Sequence, residues 1–60
     1  MSEYHSFLMV ERHHHMHESQ RAYVNAVAAR NKKVVDAWKE IGRFHDGKVE
    51  EYTLLIDRFK

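Results

Sequence analysis

The chain has 60 residues, with 10 Lys or Arg, 9 Asp or Glu, six histidines and no cysteine. This length supports one domain, and the lack of cysteine excludes disulfides and thiolate metal sites. A formal net charge of +1 is too small to indicate nucleic-acid or membrane binding by itself. The longest apolar run, residues 7–10, is far shorter than the roughly 20 residues of a membrane-spanning helix, and no signal-peptide pattern is visible. We therefore expect a cytoplasmic protein.

The chain opens with a capping signal and a long helical pattern. Ser2 suits the N-cap of a helix, and Glu3 suits its first turn. Apolar residues then recur at alternating spacings of three and four, the period of a helix that packs against other helices along its length. Neither glycine nor proline interrupts the first 41 residues. The pattern predicts one long helix over residues 4–45.

The predicted seam of this helix occupies heptad positions a and d. Its flanking positions are mostly apolar or small, which is typical of a bundle with several neighbours rather than a two-stranded coiled coil. A polar Asn31 at an a position either sets the register and oligomeric state or marks a slight bend, and Trp38 is expected to anchor the core. The residues predicted to form a dimer seam are Val24, Val27, Asn31, Val34, Trp38 and Ile41.

The first break in the pattern comes at residues 45–47. Gly47 favours a left-handed helix end, so a turn is predicted at 46–47, followed by a short amphipathic helix over 48–59. The expected fold is an all-α helical hairpin in a single domain, residues 1–60. The alternative breaks the long helix near residues 30–32 or near Ser19, giving a three-helix monomer that could read DNA as a helix-turn-helix.

A short second helix covers only the last third of a 42-residue first helix, which leaves apolar side chains without a partner in the same chain. We therefore expect a homodimer of hairpins, and a further protein partner on the N-terminal half, where methionines suit an adaptable surface. Leu54 points away from the main face of the short helix. The residues predicted to form this partner surface are Phe7, Met9, Val10, Met16 and Leu54.

The histidine-rich segment 13–17 is the strongest candidate for metal chemistry. His13 and His17 are four residues apart and share one side of a helix, so they form half of a zinc site that a second copy could complete. A His-Glu-x-x-His arrangement is lacking. The alternatives are a solvated polar seam without a cofactor, or association that weakens on acidification because imidazoles titrate near pH 6.5.

A second candidate site is a basic helix face that could contact phosphates in a small DNA-binding regulator. Asp36 and Glu40 interrupt this face and no aromatic residue lies among its cations for base stacking, so nucleic acid is the less favoured partner. The cations are Lys32, Lys33, Lys39 and Arg43. Serines lie near histidines in the sequence, but a hairpin offers no concave pocket for a catalytic triad, so we do not expect an enzyme.

Two segments that cover most of the chain read HSFLMVERHHHMHESQRAY and DAWKEIGRFHDGKVEEYTLLIDRF. They resemble the very small early proteins that lambda-like temperate phages encode between their recombination and excision genes. The segments contain no functional motif, so the resemblance assigns no site residue. It implies a small helical accessory protein that modulates host or phage development by binding a host or phage protein.

Overall fold

A computed structural model of the chain describes residues 2–58 and consists of two helices of equal length. Helix α1 spans Glu3–Ala28 and helix α2 spans Lys32–Asp57. They pack side by side as an antiparallel hairpin measuring 45 × 13 × 11 Å. The predicted all-α helical hairpin is confirmed, and residues 2–58 contain no strand. The bounds of both helices differ from the prediction, and the predicted end at residue 59 lies outside the described residues.

The start of α1 follows the capping signal in the sequence. Ser2 has an extended backbone and occupies the N-cap, where its Oγ accepts a hydrogen bond from the His5 backbone N–H at 3.1 Å. Glu3 lies in the first turn, where a carboxylate is stabilised by the positive end of the helix dipole. The predicted cap is confirmed.

The turn between the helices lies at residues 29–31, so the predicted unbroken helix over 4–45 is wrong. Ala29 and Asn31 have extended backbone conformations, with ψ of 144° and 126°. Asn31 is the N-cap of α2, and its Oδ1 accepts a hydrogen bond from the Lys33 N–H at 2.9 Å. An asparagine cap replaces the glycine or proline that was expected at a break. The alternative interpretation also placed a break near residues 30–32. It predicted three helices, however, and the described residues form two.

The predicted turn at 46–47 is also wrong, because Asp46 and Gly47 lie inside α2. None of the glycines in the described residues has a positive φ. Beyond its chain neighbours and the backbone of its own helix, a Cβ built on Gly47 would meet no atom within 4 Å, so this residue faces open space. Glycine here is compatible with a helix at a cost in propensity and is not a helix terminator.

The contact between the helices uses one row of side chains from each, with spacings of three and four. Such rows are the interior positions of two helices that pack at a small angle. In α1 the row contains Leu8, Arg12, His15, Ser19, Ala22 and Ala26. In α2 it contains Val35, Trp38, Gly42, His45, Val49, Tyr52 and Ile56.

Small residues bring the two helices close together near the turn. Ala22 and Ala26 are 1% and 5% exposed, and Gly42 is buried opposite them. The Tyr23 ring lies over Gly42 so closely that a Cβ there would be 2.7 Å from the ring Cζ. Near the turn, the α1 side of the interior consists of these small side chains, and the larger Val24 and Val27 lie outside it.

Replacing Gly47 with alanine should raise the free energy of unfolding by about 0.5 to 1 kcal/mol, because Gly47 is helical and its surroundings have room for a methyl group. Gly42→Ala is the matched control. Its methyl group must displace the Tyr23 ring, so we expect it to give less stabilisation than Gly47→Ala or a net loss. Urea denaturation measures both variants. A destabilised Gly47→Ala protein would support the turn at 46–47 and contradict this fold.

Candidate functional site

The polar centre of the helix contact is a pair of histidines, one from each helix. The Nδ1 atoms of His15 and His45 are 2.7 Å apart, so one imidazole donates a hydrogen bond and the other accepts it. The Tyr52 ring stacks on His15, with centroids 5.7 Å apart and planes 15° from parallel. The bond requires one Nδ1 to be unprotonated, so it cannot form when both rings are cationic.

Charged and titratable groups from both helices surround His15. From its own helix, His14 contacts it edge-on with ring centroids 5.4 Å apart, and a Glu11 carboxylate oxygen lies 3.9 Å from its Nε2. From α2 come His45 and Lys48. Burial lowers the pKa of His15 below its ordinary 6.5, and the positive charges of His45, His14 and Lys48 lower it further against the opposing effect of Glu11.

A second polar link lies one helical turn closer to the loop. The buried Ser19 hydroxyl donates to one carboxylate oxygen of Asp46, and the Tyr23 hydroxyl donates to the other at 3.0 Å. The bond to Asp46 raises the pKa of Tyr23. Because Asp46 binds two α1 side chains, it fixes the axial register of the helices. The Ser19 hydroxyl is directed at a carboxylate, so an imidazole does not take its proton in the way that activates a nucleophilic serine.

A shallow groove of about 360 Å³ runs beside this link. It is bounded by α1 on one side and by Asp46 and Val49 of α2 on the other. The α1 side contributes His13, Met16, His17, Ser19 and Gln20. A smaller groove of about 170 Å³ continues toward the N-terminus along Met9 and Arg12.

The predicted zinc ligands His13 and His17 both line this groove and both are exposed. Within residues 2–58, His, Asp and Glu side chains form no group of three or more that could hold a metal ion. A zinc site at these histidines therefore needs ligands from a second copy of the chain, as the sequence interpretation assumed, and it stays a prediction.

The predicted dimer seam is divided between the two helices. Val24 and Val27 are 67% and 88% exposed on α1. The remaining members have three different positions: Val34 and Ile41 are exposed on α2, Trp38 is half-buried in the interior row, and Asn31 caps α2. The heptad register predicted for α1 therefore lies on the outside of the hairpin. Its contact with a second copy stays a prediction.

The predicted partner surface is exposed but is not one continuous surface. Met9 and Met16 line the grooves, while Val10 lies on the side of α1 away from α2. Phe7 and Leu54 are also exposed, at 52% and 58%, but Leu54 belongs to α2. The structure thus brings together the two methionines and separates them from the other residues.

The four cations of the predicted phosphate-binding face are all exposed on the first half of α2. Lys32, Lys39 and Arg43 share one side of the helix because they are seven and four residues apart. Lys33 lies on a different side, and Asp36 interrupts the shared side seven residues before Arg43. The mixed charge does not favour phosphate binding.

Sequence reasoning missed the polar links between the helices. His15 was treated as part of a histidine-rich surface, and His45 and Asp46 as parts of a turn. The signal that could have found them is the spacing of small residues in α1, because Ser19, Ala22 and Ala26 continue the row that contains His15.

Comparison of the chain with models of protein families, with curated proteins and with solved structures finds no match. In residues 2–58, neither helix has an apolar stretch of the length needed to cross a membrane.

Acidification should destabilise the hairpin through His15. Above pH 6.5 the His15 imidazole is neutral in both the folded and the unfolded chain. Below pH 6.5 the unfolded chain protonates His15 first, because the pKa of His15 is lower in the folded chain. Stability is therefore lost as the pH falls from 6.5 to the folded pKa. Urea midpoints at pH 7.5 and 5.5 measure the loss, which should be smaller in His15→Gln.

The matched control is His17→Gln, because His17 is exposed and outside the helix contact. It should lose as much stability between these pH values as the parent chain. Equal losses in the parent chain and His15→Gln would show that His15 does not carry the effect.

Proposed function

We propose that this chain is a small non-enzymatic protein–protein interaction module that works as a homodimer. The observation that carries the proposal is the inverted distribution of apolar side chains. Among residues 2–58, the buried hydrophobic core contains only Leu8, Ala22, Ala26 and Ile56. Twelve large hydrophobic residues in the described part of the chain are at least 36% exposed, including Val10, Val24 and Val27.

This distribution supports association because single hydrophobic side chains on a surface are ordinary, whereas a concentration of them marks an interaction site. A 60-residue chain without disulfides has little stability to spare, since a domain of this size buries only about 60% of the surface that its unfolded chain exposes. Helices with apolar residues on more than one side gain that burial by forming a bundle.

The polar groups inside the hairpin support the same interpretation. His15 bonds to His45, and Asp46 accepts bonds from Ser19 and Tyr23. These groups are occupied in joining the helices, which favours a structural role over catalysis. The resemblance to early proteins of temperate phages supports an accessory role in phage development, in which the module binds a host or phage protein.

The solution mass of the chain, measured by sedimentation equilibrium at pH 7.5 with and without a chelator, tests the proposal. We expect a dimer that chelation leaves intact, and a thermal midpoint that rises with protein concentration because association stabilises the folded chain. A monomer at all concentrations would contradict the proposal. A dimer that dissociates on chelation would replace it with a metal-linked assembly through His13 and His17.

A further inference from the structure

We propose that His13, Met16 and His17 of one chain form a binding site for a soft monovalent metal ion, Cu(I). Two imidazoles and one thioether lie on one side of α1, and all three side chains line the same groove of about 360 Å³. The zinc site considered above needs ligands from a second copy. Here a methionine of the same chain supplies the third ligand, so the proposal goes beyond the proposed function and does not depend on it.

The spacing along α1 brings the three side chains together. Met16 and His17 follow His13 by three and four residues, and residues at these spacings are neighbours on a helix, with Cβ atoms about 5–6 Å apart. Long side chains on a helix lean toward its N-terminus, over the residues three and four positions earlier. Met16 and His17 therefore both lean toward His13. The flexible methionine side chain lets its sulfur adjust to the position of the ion.

The donor atoms of these side chains are accessible. All three residues are exposed, Met16 by 45%. In the part of the chain that the structure describes, His13 and His17 make no hydrogen bond and no ion pair. His15 differs from them, because its Nδ1 is bonded to that of His45. The polar link between the helices thus uses His15 and leaves the two groove histidines available as ligands.

The donor set selects a soft monovalent ion. Thioether sulfur suits Cu(I), whereas Zn²⁺ in proteins takes thiolate, imidazole and carboxylate ligands. Two imidazoles and a thioether are all neutral, so they supply no charge to offset a divalent ion. Asp46 lines the same groove, but its carboxylate already accepts hydrogen bonds from Ser19 and Tyr23. These features favour Cu(I) over Zn²⁺.

A second methionine beside the grooves, Met9, does not belong to the site. It precedes Met16 by seven residues, about 10 Å along the helix, and leans away from it toward the N-terminus. It also shares the smaller groove with Arg12, whose positive charge repels a metal cation at that end. Met9 is 44% exposed, nearly the same as Met16, so it provides a matched control.

Silver(I) tests the site, because it is a soft monovalent ion like Cu(I) and does not change its oxidation state in air. Calorimetric titration of the full chain with silver nitrate, in chloride-free buffer at pH 7.5, measures the affinity and the stoichiometry. We expect one ion per chain. Met16→Leu keeps the side-chain volume but removes the sulfur, and it should lower the silver affinity at least about tenfold. Met9→Leu should keep the parent affinity.

A zinc titration separates a metal ligand from a residue that only supports the helix. Met16→Leu should leave the zinc affinity unchanged, because a thioether is not a zinc ligand. His13→Gln and His17→Gln should both lower the silver affinity. The histidine control is His14→Gln, which should keep the parent affinity because His14 does not line the groove. Circular dichroism of each variant checks that the helices are retained.

Several results would overturn the site. They are equal silver affinities of Met16→Leu and the parent chain, equal losses in Met16→Leu and Met9→Leu or in His13→Gln and His14→Gln, and a zinc loss in Met16→Leu as large as its silver loss. One silver ion for two chains would replace the single-chain site with one shared between copies. The proposed function stands or falls separately, because these titrations apply equally to a monomer and a dimer.

Discussion

The close packing of small side chains between the two helices determines which surfaces of the molecule remain exposed. Ala22 and Ala26 are almost fully buried, and Gly42 leaves room for the Tyr23 ring. Small residues gain little hydrophobic free energy individually, but they allow two helix backbones to approach closely. Because the hairpin closes on these small residues near the turn, Val24 and Val27 of α1 are left on its outer side. The internal fold and the exposure of these valines are thus two consequences of one packing arrangement.

The polar links supply the specificity that small residues lack. Near the turn, Ala22, Ala26 and Gly42 do little to fix how far one helix is shifted along the other, since their side chains are small and nearly alike. Asp46, bonded to Ser19 and Tyr23, and the bond between His15 and His45 each fit one axial register. Polar groups inside helix contacts commonly fix register at some cost in stability. The histidine bond adds a dependence on proton concentration, because its geometry requires an unprotonated nitrogen.

The sequence predicts the helical content and the hairpin, but not where the hairpin closes. The capping signal at Ser2 is local, and its prediction is confirmed because a cap depends on residues within one turn. The turn at 29–31 depends on Asn31, which fits equally well inside a heptad or at an N-cap, so local propensity does not decide between them. The sequence predicts a helix end at Gly47, but this residue lies inside α2, because a helical glycine and a terminating glycine look alike in sequence. Sequence reasoning does not find the buried row of α1, which contains Ser19, Ala22 and Ala26. The hydrophobic pattern favours the more apolar Val24 and Val27, whereas the close approach of the helices depends on small side chains. Val24 and Val27, two residues of the predicted dimer seam, lie on the exposed side of α1, whereas Val34 of the same predicted seam belongs to α2.

The distance between residues 6 and 54 tests the central claim, the closure of the hairpin at 29–31, most directly. Spin labels on Ser6→Cys and Leu54→Cys of one chain, diluted with unlabelled protein, report this distance by electron paramagnetic resonance. Both positions are exposed. Two equal helices place the labels side by side, within roughly 20 Å, or about two helix diameters. A long helix with a turn at 46–47 would place residue 54 near residue 38 and separate the labels by about 48 Å at about 1.5 Å per residue. A distribution centred at the longer distance would contradict the structure.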